Sequence, residues 1–200
     1  MEIRAFQNRD VPTAIRSAIV GMHFSWYLEN RLLLNLYGRY FWYAAACRAT
    51  QVIAAYEGET LVGLLLAEMR GERPRMRRRW KEAYVELSEW VQQRFFPQTG
   101  SYEAANQELL QAYRRTCDPD GEILFLAANP EARVPGVGTA LLEELAARER
   151  GRRVYLFTDD ACTYQFYEHR GFRQAGERRI SEEILGRQVS LRCLLYERVL

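Results

Sequence analysis

The spacing of apolar and polar positions divides the first 70 residues into strands and helices. Gln51–Tyr56 and Leu61–Met69 are apolar runs on either side of the turn Glu57-Gly58-Glu59, which is the pattern of a β-hairpin. Three elements are predicted before this hairpin: a strand over Glu2–Phe6, a helix that begins at Val11 with Asp10 as its cap, and an aromatic-rich helix over about Asn30–Tyr43.

The segment from Arg70 to Asp118 has helical periodicity. Apolar residues between Trp80 and Phe95 recur at spacings of three and four, and Pro97–Gly100 then interrupts the pattern before a second helix over about Tyr102–Tyr113. The strand–helix order resumes after this segment with six elements: strand Glu122–Ala128, helix Gly136–Arg150, strand Val154–Thr158, helix Ala161–Arg170, and strands around Phe172–Ser181 and Val189–Val199. We therefore predict a single α/β domain over residues 1–200, with a helical insertion at 71–118 between the third and fourth strands.

Composition excludes several classes of protein. An apolar content of 48% over 200 residues is enough for one good core, and the longest clear apolar run, Leu61–Ala67, is far shorter than the ~18 residues of a membrane span. The first residues lack a signal-peptide pattern, so we expect a cytoplasmic protein. The four cysteines and two histidines have neither C-x-x-C nor zinc-ligand spacing, so we expect reduced thiols and no metal.

The most informative motif is Arg133-x-x-Gly136-x-Gly138, which joins the strand ending at Ala128 to a helix. A glycine-containing turn at a helix start leaves backbone N–H groups unpaired, and the helix dipole adds partial positive charge, so this turn is a candidate phosphate site. The alternative is an ordinary connection whose glycines serve packing. A Rossmann site would need a third glycine, and a P-loop would need a lysine, whereas no lysine follows Lys81.

This motif resembles the pyrophosphate-binding motif R/Q-x-x-G-x-G/A of the Gcn5-related N-acetyltransferase (GNAT) family. A second resemblance lies downstream, where V-Y-L-F-T-D-D-A-C-T-Y-Q-F-Y-E-H-R-G-F (Val154–Phe172) is similar to the family's fifth strand and fourth helix with the closing signature F-Y-x-x-x-G-F. The resemblance implies the GNAT (acyl-CoA N-acyltransferase) fold: a mixed, mostly antiparallel sheet with splayed central strands, flanked by helices. It also implies acetyl-CoA as the acyl donor.

The same resemblance implies how acetyl-CoA is bound. The backbone of Leu126 and Ala128 would bind the pantetheine amides, and the Ala128 N–H would polarise the thioester carbonyl. The pyrophosphate would lie on the motif that starts at Arg133, with main-chain donors at the following positions: Val134, Gly136, Val137, Gly138 and Thr139.

Two residues are candidates for proton transfer. Glu122 stands eleven residues before Arg133, the offset of the catalytic glutamate in the family's histone acetyltransferases. Strict alternation would place it on the strand face of Leu124, Leu126 and Ala128. The alternatives are a solvated glutamate at a strand start, or Glu68 as the base. Tyr167 matches the family tyrosine near the cofactor sulfur; otherwise it is a core aromatic residue.

The acceptor is predicted to be a primary amine, either on a small molecule or on a peptide. Five aromatic residues of the N-terminal helices either line its pocket or belong to the core: Trp26, Tyr27, Tyr37, Tyr40 and Trp42. The basic run within Arg70–Lys81 either binds nucleic acid, the 3′-phosphate of CoA or an acidic acceptor or, the interpretation we favour, is a solvated helix start. A non-catalytic CoA-binding sensor or interaction module is a further alternative, and the apolar final strand would suit a homodimer.

Overall fold

The computed structural model describes residues 1–22, 30–95, 101–184 and 187–200. The strands are β1 (Glu2–Arg4), β2 (Gln51–Glu57), β3 (Thr60–Met69), β4 (Gly121–Ala128), β5 (Arg153–Asp159), β6 (Arg173–Ile184) and β7 (Arg187–Val199). The helices are α1 (Val11–Gly21), α2 (Arg31–Arg48), α3 (Arg79–Phe95), α4 (Ser101–Arg114), α5 (Val137–Arg148) and α6 (Gln165–Glu168). The predicted break at Pro97–Gly100 lies outside the described residues.

The seven strands form one sheet in the order β1-β2-β3-β4-β5-β7-β6. Every neighbouring pair is antiparallel except β4 and β5, which are parallel. The predicted mixed, mostly antiparallel α/β fold flanked by helices is therefore confirmed. Within the described part of the chain, no helix has the combination of length and hydropathy that crossing a membrane requires.

α1 begins at Val11 as predicted, but two other details of the predicted helices are wrong. Asp10 precedes α1 but makes no side-chain cap; its Oδ2 accepts a hydrogen bond from the Tyr56 hydroxyl at 2.7 Å. The predicted helix over Ala161–Arg170 is only the short α6. Asp159 Oδ1 accepts from the N–H groups of Ala161 and Cys162, both at 3.0 Å, so this stretch begins as a turn.

Helices cover both faces of the sheet. α5 packs on one face with Val154 and Leu156 of β5, whereas α4 packs on the opposite face with Tyr155. α1 and α2 cover the β2–β4 half of the face occupied by α4, where Trp42 and Phe125 are buried. α3 packs on α2. The second and third strands are apolar along most of their length because both of their faces are covered.

The central strands separate along their length. Only Gly121 and Glu122 of β4 pair with β5, opposite Val154 and Tyr155. Beyond these pairs β4 continues to Ala128 and β5 continues to Asp159 without further pairing between the two in the described part of the chain. The result is a V-shaped gap that is closed at Glu122 and open toward Ala128, which is the predicted splay.

A β-bulge in β4 overturns the predicted side-chain alternation. Leu66 pairs with Phe125 and Ala67 pairs with Ile123, so Leu124 has no partner in β3. Leu124 and Phe125 consequently both pack toward α1 and α2, whereas Leu126 packs on the α5 side. The prediction that Glu122 shares one face with Leu124, Leu126 and Ala128 therefore holds for Leu124 but is wrong for Leu126, because the extra residue shifts the alternation beyond it.

The close contact between α5 and β3 depends on Gly63. A Cβ at this position would overlap Cγ1 of Val137 and come within 3.1 Å of Leu141 Cδ1. We expect Gly63→Ala to lower the free energy of unfolding by about 1–3 kcal/mol, since packed cores tolerate little added volume. Urea denaturation measures this change. The double variant Gly63→Ala/Val137→Ala should lose less than the sum of the two single variants, and simple additivity would contradict the proposed overlap.

Candidate active site

The loop between β4 and α5 is anchored by Asn129. This buried side chain donates from Nδ2 to the Leu61 carbonyl at 2.9 Å and accepts from the Glu131 N–H at 3.0 Å. Its backbone N–H donates to the Val62 carbonyl at 2.8 Å. The loop therefore starts from a fixed point on β3. The sequence does not predict this anchoring role, because an asparagine before a proline indicates only a turn.

The start of α5 offers five backbone donors. The N–H groups of the predicted pyrophosphate-binding residues have no acceptor in the part of the chain that the structure describes. The first helical bond to the turn is donated by Ala140 to the Gly136 carbonyl at 3.0 Å. Since unpaired N–H groups at a helix start favour an anion, this end of α5 has the chemistry of a phosphate cradle. The donors are Val134, Gly136, Val137, Gly138 and Thr139.

The two glycines of the motif have different roles. Gly136 has a φ of +76° and nothing within 4 Å of an added Cβ, so its requirement is conformational. At Gly138 a Cβ would lie 2.8 Å from Cζ of Phe166, so glycine is needed there for the ring to pack on the helix. Arg133 also has a left-handed conformation, with a φ of +48°.

Arg170 is a residue of this region that sequence reasoning did not select. Its Nε donates to Thr139 Oγ1 at 2.9 Å, and another guanidinium nitrogen donates to the Phe166 carbonyl at 2.9 Å. Its Cζ lies 3.7 Å from the centroid of the Phe166 ring. The Thr139 hydroxyl is thus engaged, while its N–H remains open. Arg170 is the arginine in F-Y-E-H-R-G-F, but the signature F-Y-x-x-x-G-F allows any residue at this position, so nothing in the sequence selects it.

The backbone of β4 is open toward the gap at two predicted positions. Because the Asn129 N–H donates to Val62 on β3, strand alternation turns the N–H and C=O groups of Ala128 and Leu126 away from β3. On that side β5 has already separated. The open edge of β4 therefore runs from Leu126 through Ala128 to the loop that holds the cradle.

Glu122 lies at the closed end of the gap in a cluster of charged and polar groups. Its Oε2 accepts from Arg48 of α2 at 2.5 Å and from the Tyr155 hydroxyl at 3.2 Å. Glu68, its register partner on β3, also binds Arg48, with Nε to Oε2 at 2.8 Å. The Glu122 side chain is only 15% exposed, compared with 41% for Glu68. Both candidate bases are thus brought together.

The charges in this cluster affect its neighbours. Burial, followed by the charge of Glu122, raises the pKa of Tyr155 well above its usual value. Burial acts to lower the pKa of Arg48, but the charges of Glu122 and Glu68 outweigh it and raise that pKa. Tyr155 and Arg48 therefore stay protonated at neutral pH and both donate to Glu122.

Tyr167 is half-buried on the α5 side, where its ring contacts Phe166 and Phe172 with centroids 5.2 and 5.7 Å apart. Burial, with a smaller effect from Cys162, raises its pKa well above the usual value. The hydroxyl makes no hydrogen bond to any group among the described residues. Tyr167 is therefore a core residue that also keeps a proton available.

Most other candidates have structural contacts. Trp42 is fully buried, and Tyr40 is near Glu89, whereas Trp26 and Tyr27 lie outside the described residues. In the basic run, Arg70 pairs with Asp118 and Arg77 with Glu82. Lys81 is buried and donates to the Met76 carbonyl at 3.2 Å. The run is therefore not a uniform cationic surface.

Among the described residues no cluster of three or more His, Cys, Asp or Glu side chains is arranged to hold a metal ion.

Comparison with known proteins gives one family. Residues 19–172 match the model of the acetyltransferase (GNAT) family. No curated protein sequence matches the chain.

Many solved structures share the fold. One is described as histone acetyltransferase HPA2 and related acetyltransferase from Corynebacterium glutamicum, with TM-score 0.59, 16% identity, and coverage of 97% of this chain and 93% of that one. The ribosomal-protein-alanine N-acetyltransferase of Brucella melitensis has TM-score 0.55 and 20% identity, with both chains covered completely. The ribosomal-protein-S18-alanine N-acetyltransferase of Escherichia coli has TM-score 0.54 and 14% identity, covering 98% and 91%. At these identities the similarity concerns the fold.

Proposed function

Because the chain belongs to the acetyltransferase (GNAT) family, we propose that it transfers an acetyl group from acetyl-CoA to a primary amine. The observation that supports this most strongly is two sets of unpaired backbone groups, one at Leu126 and Ala128 on β4 and one at the start of α5, joined by the loop anchored at Asn129. Amide groups along an extended strand suit the pantetheine arm, and the cradle with Arg133 suits the pyrophosphate. Each hydrogen bond to a charged oxygen contributes about 1.5–3 kcal/mol, so five donors can hold the donor molecule.

The reaction is a direct attack on the thioester. The amine nitrogen bonds to the carbonyl carbon, the carbon–sulfur bond breaks, and Glu122 takes the amine proton directly or through a water. A covalent acetyl-enzyme is disfavoured at Cys162, because burial, followed by the charge of Asp159, raises the pKa of that thiol to about 12. A thiol that stays protonated at neutral pH is a poor nucleophile.

Strand geometry selects the donor to the thioester carbonyl. Ala128 is six residues from Glu122, which corresponds to about 20 Å along a regular strand. Leu126 is four residues from Glu122, or about 13 Å. The bulge in β4 shortens both distances. The acceptor must contact the base and the reacting carbon together. We therefore favour the Leu126 N–H for the carbonyl, with Ala128 contacting the pantetheine arm.

Tyr167 is the proposed acid for the departing sulfur. A thiol has a pKa of about 8.5, so the thiolate is a tolerable leaving group, and we expect Tyr167→Phe to lower kcat only about tenfold. The affinity for acetyl-CoA, measured by calorimetry, should stay nearly unchanged. Tyr164→Phe is the matched control, since that ring packs in the same cluster and should leave kcat intact. Equal rates for the wild type and Tyr167→Phe would remove Tyr167 from the mechanism.

The function is tested by release of CoA from acetyl-CoA across a panel of aliphatic amines, aromatic amines and peptides with free N-termini or lysines. We expect at least one acceptor to release CoA at a rate that depends on its concentration. Tight binding of acetyl-CoA with no release across the panel would favour the non-catalytic CoA-binding module. Retention on nucleic acid with a steep salt dependence would favour the nucleic-acid-binding alternative.

The arrangement of the chain around this activity is also a proposal. We assign residues 1–200 to one acetyltransferase domain and 71–118, with helices α3 and α4, to an insertion in it. The cytoplasmic location, the absence of a metal and the homodimer remain predictions from the sequence.

A further inference from the structure

α2 ends beside the closed end of the β4–β5 gap, and Arg48 is its last residue. A cation is favoured in the last turn of a helix, where the carbonyl groups give partial negative charge. From there the guanidinium contacts two strands at once. It lies 2.7 Å from Glu68 Oε2 on β3 and 2.5 Å from Glu122 Oε2 on β4.

The two carboxylates need such a cation. Glu68 and Glu122 are register partners on adjacent strands, so their side chains start from directly opposed positions. Like charges directly opposite each other are destabilising in a sheet. Arg48 binds both carboxylates, and without it their repulsion would turn the two side chains apart.

The contacts also orient Glu122. Both of its hydrogen bonds, from Arg48 and from Tyr155, are accepted by Oε2. Oε1 has no partner among the described residues. One oxygen is therefore fixed by two donors from α2 and β5, while the other stays available on a side chain that is mostly buried.

We propose that Arg48 is a positioning residue for acetyl transfer, which holds Oε2 of Glu122 and thereby directs its Oε1 atom to the acceptor amine. The inference rests on the proposed function. It adds Arg48 to the proposed acid–base site, although this residue lies outside both sequence motifs. The groups that face Glu122 come from every neighbouring element: Arg48 of α2, Glu68 of β3 and Tyr155 of β5, with Arg114 of α4 acting on Tyr155.

The first test does not require turnover. In a crystal structure of Arg48→Met, the Glu122 carboxylate should leave its wild-type orientation, since Oε2 loses one of its two donors and Glu68 repels it. Arg9→Met removes an exposed partner of Glu59 far from the site and should leave the orientation of Glu122 unchanged. An unchanged orientation of Glu122 in Arg48→Met would overturn the inference.

The second test separates positioning from a purely structural role. With the panel amine that releases CoA fastest, Arg48→Met should lower kcat about tenfold or more, because a misplaced carboxylate no longer reaches the amine. The affinity for acetyl-CoA, measured by calorimetry, should stay near the wild-type value. Arg48→Lys keeps a positive charge beside Glu122 and should recover part of the lost kcat. A kcat of Arg48→Met equal to that of the wild type, or an equal loss of acetyl-CoA affinity, would contradict the proposal. A wild-type protein with the Arg48-dependent orientation of Glu122 but no acetyl transfer would contradict the proposed function alone.

Discussion

Gly136→Glu is expected to abolish measurable binding of acetyl-CoA. The substitution places an L side chain at a φ of +76°, which costs about 1–2 kcal/mol, and it adds a negative charge to a cradle proposed to hold a diphosphate. Losing two of the five charged hydrogen bonds alone would cost about 3 kcal/mol or more, which is at least a hundredfold in affinity. Calorimetric titration of acetyl-CoA measures the loss directly.

The same helix supplies a matched control. Gly151 follows the end of α5, has a φ of +80°, and also has nothing within 4 Å of an added Cβ. Gly151→Glu therefore introduces the same side chain, similar backbone strain and the same charge at the end of the helix where no phosphate is expected. It should bind acetyl-CoA like the wild type. Similar losses in both variants would indicate general destabilisation, and normal binding by Gly136→Glu would refute the phosphate cradle.

The sheet and the left-handed turn before α5 could be predicted because local sequence determines them. Apolar runs on either side of Glu57–Glu59 indicated the β2–β3 hairpin, and the glycine at 136 indicated a left-handed turn before a helix. These features depend on residues close together in the chain. The packing requirement for glycine at 138 could not be predicted in this way, because the ring that a Cβ would contact belongs to Phe166 in a different helix.

The cluster of Glu122, Glu68 and Arg48 could be predicted only in part. The offset from Arg133 selected Glu122, and Glu68 was the reserve, but nothing in the sequence indicated that one arginine joins them. Arg48 is 74 residues from Glu122 and 20 from Glu68, so their contact is a property of the tertiary fold. The bulge at Leu124 was equally hidden, since β4 reads as a regular apolar run until its pairing with β3 is known.

Glu122→Gln is expected to lower kcat about a hundredfold or more at neutral pH, which is the usual contribution of a positioned general base. The amide keeps the size of the side chain but cannot accept a proton from an ammonium group. The affinity for acetyl-CoA should change little, because the proposed cradle and the open edge of β4 lie toward the other end of the gap. Steady-state kinetics with the fastest acceptor of the panel, together with calorimetry, separate the two effects.

Glu68→Gln distinguishes the two carboxylates, since both bind the same arginine and differ mainly in exposure. Glu68 is the more exposed, and its substitution removes a like charge from beside Glu122, so we expect kcat to fall less than tenfold. A larger loss in Glu68→Gln than in Glu122→Gln would make Glu68 the base. Normal turnover in both variants would mean that the acceptor arrives already deprotonated, and that the buried carboxylate of Glu122 serves only to pair with Arg48.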